Sequence, residues 1–185
     1  MAKRLLDFVL ALLMLGPVIV ISIPCLIAIR LESSGAPLFM QTRVGKGQRP
    51  FTLLKMRTMT KDTESLGSHE VSVSQITQLG HFIRRTKLDE LPQVWNVLLG
   101  QMSFVGPRPC LPNQLELVTE RMARGVFNVR PGVTGPAQLA GIDMSTPQRL
   151  AEADAAYIAN RTILGDLKLL MITATGKGKG DAAKT

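Results

Sequence analysis

The 185-residue sequence predicts a mainly α chain with one small β-hairpin: a re-entrant helix–break–helix in the membrane, then a compact interfacial body bearing amphipathic surface helices. Three observations point there. The run Phe8 to Ile29 holds 22 residues without a charge, interrupted by Gly16-Pro17 and Pro24. Two strand-like segments, 37–44 and 50–59, flank Gly45-Lys-Gly-Gln-Arg49, a turn with two glycines. Beyond them come several stretches with helical spacing. The composition, 45% hydrophobic and 19% charged with a net charge of +8, is both greasy and basic. Disordered basic tails are poor in apolar residues, so that class is excluded. An ordinary soluble nucleic-acid binder fits poorly too, whereas a membrane surface or a phosphorylated metabolite suits the charge. Cys25 and Cys110 are too few for a disulfide scaffold.

The N-terminal run is long enough, at ~33 Å as a straight helix, to cross a bilayer core. Its sequence favours a different path. Each proline removes a backbone donor and crowds the preceding turn. The half from Phe8 to Gly16 reaches only ~14 Å, about half a hydrocarbon core. Both flanks are basic, with Lys3 and Arg4 before and Arg30, Arg43, Lys46 and Arg49 after, so both ends prefer one side. A segment over 1–36 that dips into one leaflet and returns meets these conditions, with Gly16, Pro17 or Pro24 at the break and Ser22 bonding a freed carbonyl. A kinked spanning helix is the alternative. A cleaved signal peptide fits least, because Asp7 intrudes and no small-x-small site follows.

The body is expected over 37–175. Residues Thr60 to Gln78 are polar and aperiodic, a long loop of the kind that often carries function. Helices are expected over Gly80–Arg85, Asp89–Leu99, Asn113–Arg124 and Gln148–Asn160, the last opened by Pro147. Gly165–Thr175 repeats apolar residues at helical spacing and suits a membrane surface. The tail 176–185 is small and polar, hence expected to be disordered.

Metal-ligand spacing and nucleophile triads are absent: His69 and His81 stand apart, and neither a P-loop nor a G-x-G-x-x-G occurs. What remains is one acidic pair among phosphate-friendly groups. Asp89-Glu90 precedes Leu91-Pro92, placing both carboxylates at the first turn of a helix. Helix capping alone explains most such pairs. Around this one stand Arg84, Arg85 and Lys87, then Arg108 between Pro107 and Pro109, then Arg130 before Pro-Gly. Guanidinium forks match phosphate oxygens, and rigid turns lower the entropy lost on binding. Solvated arginines beside tight turns are the plain alternative.

The segments Leu88-Asp-Glu-Leu-Pro-Gln-Val-Trp-Asn-Val-Leu-Leu-Gly100 and Met102-Ser-Phe-Val-Gly-Pro-Arg-Pro109 resemble the bacterial sugar transferases, the small monotopic phosphoglycosyl transferases. Lys55-Met-Arg-Thr-Met59, Arg130-Pro-Gly-Val-Thr-Gly135 and Asp166-Leu-Lys168 extend the resemblance, which runs to about Thr173. It implies a re-entrant membrane helix and a catalytic domain on the cytoplasmic face of the bacterial inner membrane. It also implies transfer of sugar-1-phosphate from a UDP-sugar to undecaprenyl phosphate, with UMP released. An acetamido sugar is preferred over a plain hexose. In that reading Asp89 is the nucleophile and a Mg²⁺ contact, Glu90 assists, and a covalent phosphosugar intermediate forms in a ping-pong cycle. Arg84 and Arg108 lead as phosphate clamps; Lys55, Arg130 and Pro107 complete the substrate set. An ordinary aspartate titrates near ~3.9, so a carboxylate nucleophile needs no base at neutral pH. Two carboxylates about 4 Å apart repel by ~4 kcal/mol at an effective dielectric of about 20, which Mg²⁺ and arginines would offset.

Three places depart from the family pattern. Gln101 stands where an acidic residue is common, Pro136 where Trp is common, and Ala140-Gly141-Ile142 where Asn-Gly-Arg is common. They avoid the acidic pair and so bear on sugar choice or membrane contact. Anionic lipids are expected partners of Lys3, Arg4 and Arg30, nucleic acid is not, and a homo-oligomer stays open. The competing reading is a non-catalytic basic membrane adaptor binding anionic lipids or acidic partners.

Overall fold

The computed structural model describes residues 2–60 and 75–175. Helix α1, Ala2–Glu32, is 31 residues long and apolar enough to cross a membrane by length and composition. It is helical straight through Gly16, Pro17 and Pro24, so the expected break is no gap between two helices. A proline deletes one donor and one bond, and the flanking turns can carry the helix past it. Its buried residues, Asp7, Ala11, Val18, Ser22 and Ile29, recur at alternating steps of four and seven, a narrow stripe along one face. The other faces leave Leu12, Leu13, Val20, Ile23 and Ile27 exposed.

Both ends of α1 are tied to the body. At the start, Lys3 Nζ meets Asp166 at 2.5 Å, and Arg4 donates to the carbonyls of Val97 and Leu98. Asp7 accepts from Ser103 Oγ and from the Phe104 N–H at 3.0 and 3.1 Å. At the far end, Ile29 packs with Met56 and Ile83, Glu32 accepts from the Leu79 N–H, and Arg57 donates to the carbonyls of Ser33 and Ser34.

The expected hairpin is present: β1 (Leu38–Val44) pairs antiparallel with β2 (Pro50–Met56) across a 3₁₀ turn in which Gly47 takes φ 62°. The body continues with α2 (Gln78–Arg85), α3 (Gln93–Leu98), β3 (Ser103–Val105) and α4 (Leu115–Ala123). It ends with β4 (Gly132–Thr134), α5 (Pro136–Leu139), α6 (Pro147–Asn160) and α7 (Ile163–Ala174). Pro147 opens α6 as the sequence predicts. The β3–β4 pair, a second and parallel sheet, is an addition to the one-hairpin expectation. These strands are three residues long and β3 is buried throughout, so they carry no alternation to read. Their backbones touch where a Cβ on Gly132 would lie 2.1 Å from the Gly106 nitrogen, so only glycine fits.

The main core joins Ala11 and Val18 of α1 to Phe51, Leu53, Val94, Val97, Met102, Phe104 and Val105. Leu169 and Leu170 of α7 pack on it, while Leu164 and Met171 stay exposed. Most of the loop expected over 60–78 and the whole tail at 176–185 lie outside the described residues, as does His69.

Candidate active site

Asp89 and Glu90 sit in a short 3₁₀ turn, Leu88–Glu90, immediately before α3 and not in its first turn. Pro92 is the reason. Lacking an N–H, it cannot extend an i→i−4 ladder back to Leu88, whose carbonyl accepts from Leu91 instead. Lys87 enters the turn in the left-handed region, at φ 56°, unusual for a residue with a Cβ.

Asp89 is buried, and Glu90 is half-buried. Lys55, reaching from β2, lies 3.3 Å from Glu90 Oε1 and 3.9 Å from Asp89 Oδ2. Arg108 reaches the same Glu90 oxygen at 3.4 Å. Two carboxylates and two cations from three parts of the chain thus form one cluster, and the cations offset the repulsion within the acidic pair. Arg84 stands in the last turn of α2, where its Nε donates to Thr58 Oγ1 at 2.8 Å. Its buried NH1 has no hydrogen-bond partner among the described residues.

Arg108 is held through its backbone. The carbonyl of Pro107 accepts from Gly132 N, that of Arg108 from Arg121, that of Pro109 from Arg43, and that of Cys110 from Val44 N. Four consecutive carbonyls are therefore pinned from α4 and from strands of both sheets, while Pro107 and Pro109 themselves lack N–H groups. Arg121 and Asp154 were not legible as functional residues. Arg121 is 1% exposed and donates to Asp154 Oδ2 through Nε and NH2, at 3.0 and 2.7 Å, and to the Arg108 carbonyl at 2.7 Å. Burial raises the Asp154 carboxyl above its usual range, although the Arg121 charge pulls it down. Its signal was phase: Arg121 lies four residues after Leu117, and Asp154 four after Leu150, on the buried faces of α4 and α6.

Two expected residues sit elsewhere. Arg130 makes no hydrogen bond or ion pair with the acidic pair; its Nε donates to the Gly100 carbonyl at 2.7 Å. Ser22 is buried in α1, but its hydroxyl has no hydrogen-bond partner among the described residues, so it satisfies neither freed carbonyl of α1. A helical serine reaches carbonyls three or four residues back, whereas Pro17 and Pro24 release those of Leu13 and Val20.

The family model for bacterial sugar transferases matches residues 1–178. The chain belongs to that family. It is 40% identical over 171 residues to the uncharacterized sugar transferase EpsL of Bacillus subtilis, covering 92% of this chain and 84% of that protein. It is 38% identical over 181 residues to a UDP-glucose:undecaprenyl-phosphate glucose-1-phosphate transferase of Caulobacter vibrioides, covering 92% and 67%. A Klebsiella pneumoniae protein of the same name is 36% identical over 183 residues; there the match takes in 92% of this chain but 39% of the longer relative. The cluster around Asp89 therefore lies in a member of the bacterial sugar transferase family.

Proposed function

We propose that this chain transfers sugar-1-phosphate from a UDP-sugar to undecaprenyl phosphate and releases UMP, working at the cytoplasmic face of the bacterial inner membrane. The observation that carries this is Asp89-Glu90 held against Lys55 and Arg108, 3.3 and 3.4 Å from one Glu90 oxygen. The names of the Caulobacter and Klebsiella relatives support the same donor and acceptor classes.

In the first half-reaction an Asp89 carboxylate oxygen attacks the sugar-bearing phosphorus. The bond from that phosphorus to the bridging oxygen breaks, and the bridging oxygen leaves with UMP. In the second, a phosphate oxygen of the lipid attacks the same phosphorus and returns Asp89 to its carboxylate. Glu90 positions Lys55 and Arg108, whose charges lie where the diphosphate gains negative charge. The buried NH1 of Arg84, without a partner among the described residues, suits a phosphate oxygen. The donor set also suits Mg²⁺. Asp89 and Glu90 offer hard carboxylate oxygens, and no cluster of three or more metal-binding side chains occurs among the described residues. Such a site matches an ion held by one or two carboxylates and completed by substrate phosphates. Bound there, Mg²⁺ would neutralise diphosphate charge.

A re-entrant α1 is part of this reading. Lys3, Arg4 and Asp7 at one end and Glu32, Ser33 and Ser34 at the other bond to the same body. A helix that carried one end across the bilayer could keep both sets of bonds only if the polar body crossed too. A non-catalytic adaptor would need no acidic pair locked between two cations.

The test is UMP release from UDP-glucose and UDP-N-acetylglucosamine by the full chain in detergent with undecaprenyl phosphate. Release is expected with at least one donor, lost in Asp89→Asn and on chelating Mg²⁺. Undiminished release by the Asn variant would overturn the role of Asp89.

A further inference from the structure

The acidic pair occupies the N-terminal side of α3; an open cleft of about 520 Å³ lies at its other end. Lys46, Gly47 and Arg49 of the β1–β2 turn line it, with Gly100, Gln101 and Arg130 opposite. None of Asp89, Glu90, Arg84, Lys55 and Arg108 lines it. No Asp or Glu is among its lining residues, and none occurs at 33–61, 91–115 or 121–142, the stretches that supply them. Lys46 and Arg49 are exposed and make no ion pair among the described residues. Arg130 is anchored by its bond to Gly100, leaving its terminal nitrogens for a ligand. Three cations around a volume of this size suit a phosphate group.

The surroundings decide between a soluble phosphate and a lipid one. Gly100 also adjoins the root of α1, since a Cβ there would lie 3.3 Å from Arg4 NH2. Leu99, the residue before the cleft's Gly100, is 69% exposed, and Leu5 next to Arg4 is 66% exposed. Trp95, also exposed, is the chain's one tryptophan, a residue enriched where membrane meets water. A soluble nucleotide has no use for this apolar border, whereas lipid chains would run along it. We propose that the cleft binds the phosphate of an anionic phospholipid, with the acyl chains lying beside Leu99 and the start of α1.

The test uses the full chain in non-ionic detergent, titrated with dihexanoylphosphatidylglycerol, dihexanoylphosphatidylcholine and inorganic phosphate, with adducts counted by native mass spectrometry. Phosphatidylglycerol is expected to saturate one site at a concentration at least tenfold below phosphatidylcholine. The pair Lys46→Gln/Arg49→Gln should weaken it about tenfold. The pair Arg149→Gln/Arg161→Gln, exposed on and just after α6, removes equal charge and should change it less than twofold. Equal losses in the two pairs would mean diffuse attraction and overturn the site. Inorganic phosphate displacing the lipid at comparable concentration would overturn the lipid assignment.

Discussion

Replacing Arg121 by methionine removes three hydrogen bonds at once and strands a carboxylate. Asp154 is 3% exposed, and both of its bonds to Arg121 end on one oxygen. Breaking a buried ion pair by removing one partner costs about 3–5 kcal/mol, because the remaining charge is desolvated and unpaired. Protonation of Asp154 limits that loss, since burial already raises its carboxyl. The double variant Arg121→Met/Asp154→Leu removes both charges, and apolar replacements of buried pairs are often neutral. Its denaturant midpoint in non-ionic detergent should return most of the way to wild type. Activity should not return, because the Arg108 carbonyl has still lost its 2.7 Å donor. A misplacement of about 1 Å in a catalytic group can lower the rate ~100-fold, so kcat/KM should stay about 10–100-fold down in both variants. Full activity in the double variant would refute the positioning of Arg108 through Arg121. The pair also sets a pH signature. With its folded pKa raised above the ordinary 3.8, Asp154 binds more proton folded than unfolded between those values. Its contribution to stability is therefore full below that window and falls as pH climbs through it. The stability difference between wild type and double variant should shrink over that range and then level off.

Lys55→Met takes away the cation shared by Asp89 and Glu90 and should lower kcat/KM about 10–100-fold, with Lys55→Arg recovering part in the same UMP assay. Gly132→Ala places a Cβ 2.1 Å from the Gly106 nitrogen and should cost about 1–3 kcal/mol or more by denaturant midpoint, with activity falling alongside. Asp7→Ala leaves the Ser103 hydroxyl and Phe104 N–H without their acceptor inside the body. A loss of about 1–3 kcal/mol is expected, seen as faster hydrogen exchange at residues 103–105.

What could be read in advance was local. The two glycines of the hairpin turn and Pro147 at the head of α6 announce themselves within a few residues. The acidic pair and its cations were visible as chemistry, and the body does bring Lys55, Glu90 and Arg108 together. The non-local features escaped. Ser103–Val105 pairs with Gly132–Thr134 across nearly thirty residues, and neither strand has a pattern of its own. Arg121 and Asp154 stand on separate helices with no motif around them, though each falls in phase with a buried leucine. Ser22 failed for a local reason: the freed carbonyls lie at the wrong offset for its hydroxyl. Arg130 resembled Arg108 in its setting beside prolines, yet the fold carries it to the opposite end of α3.

The chemistry assigned to Asp89 is tested most directly by the intact mass of the full chain, mixed with Mg²⁺ and an accepted UDP-sugar without polyprenyl phosphate. A gain of one sugar-phosphate is expected, accompanied by stoichiometric UMP, mapped to Asp89 and absent from Asp89→Asn. UMP formed only when the lipid acceptor is present, with no adduct on the protein, would contradict a covalent aspartyl intermediate.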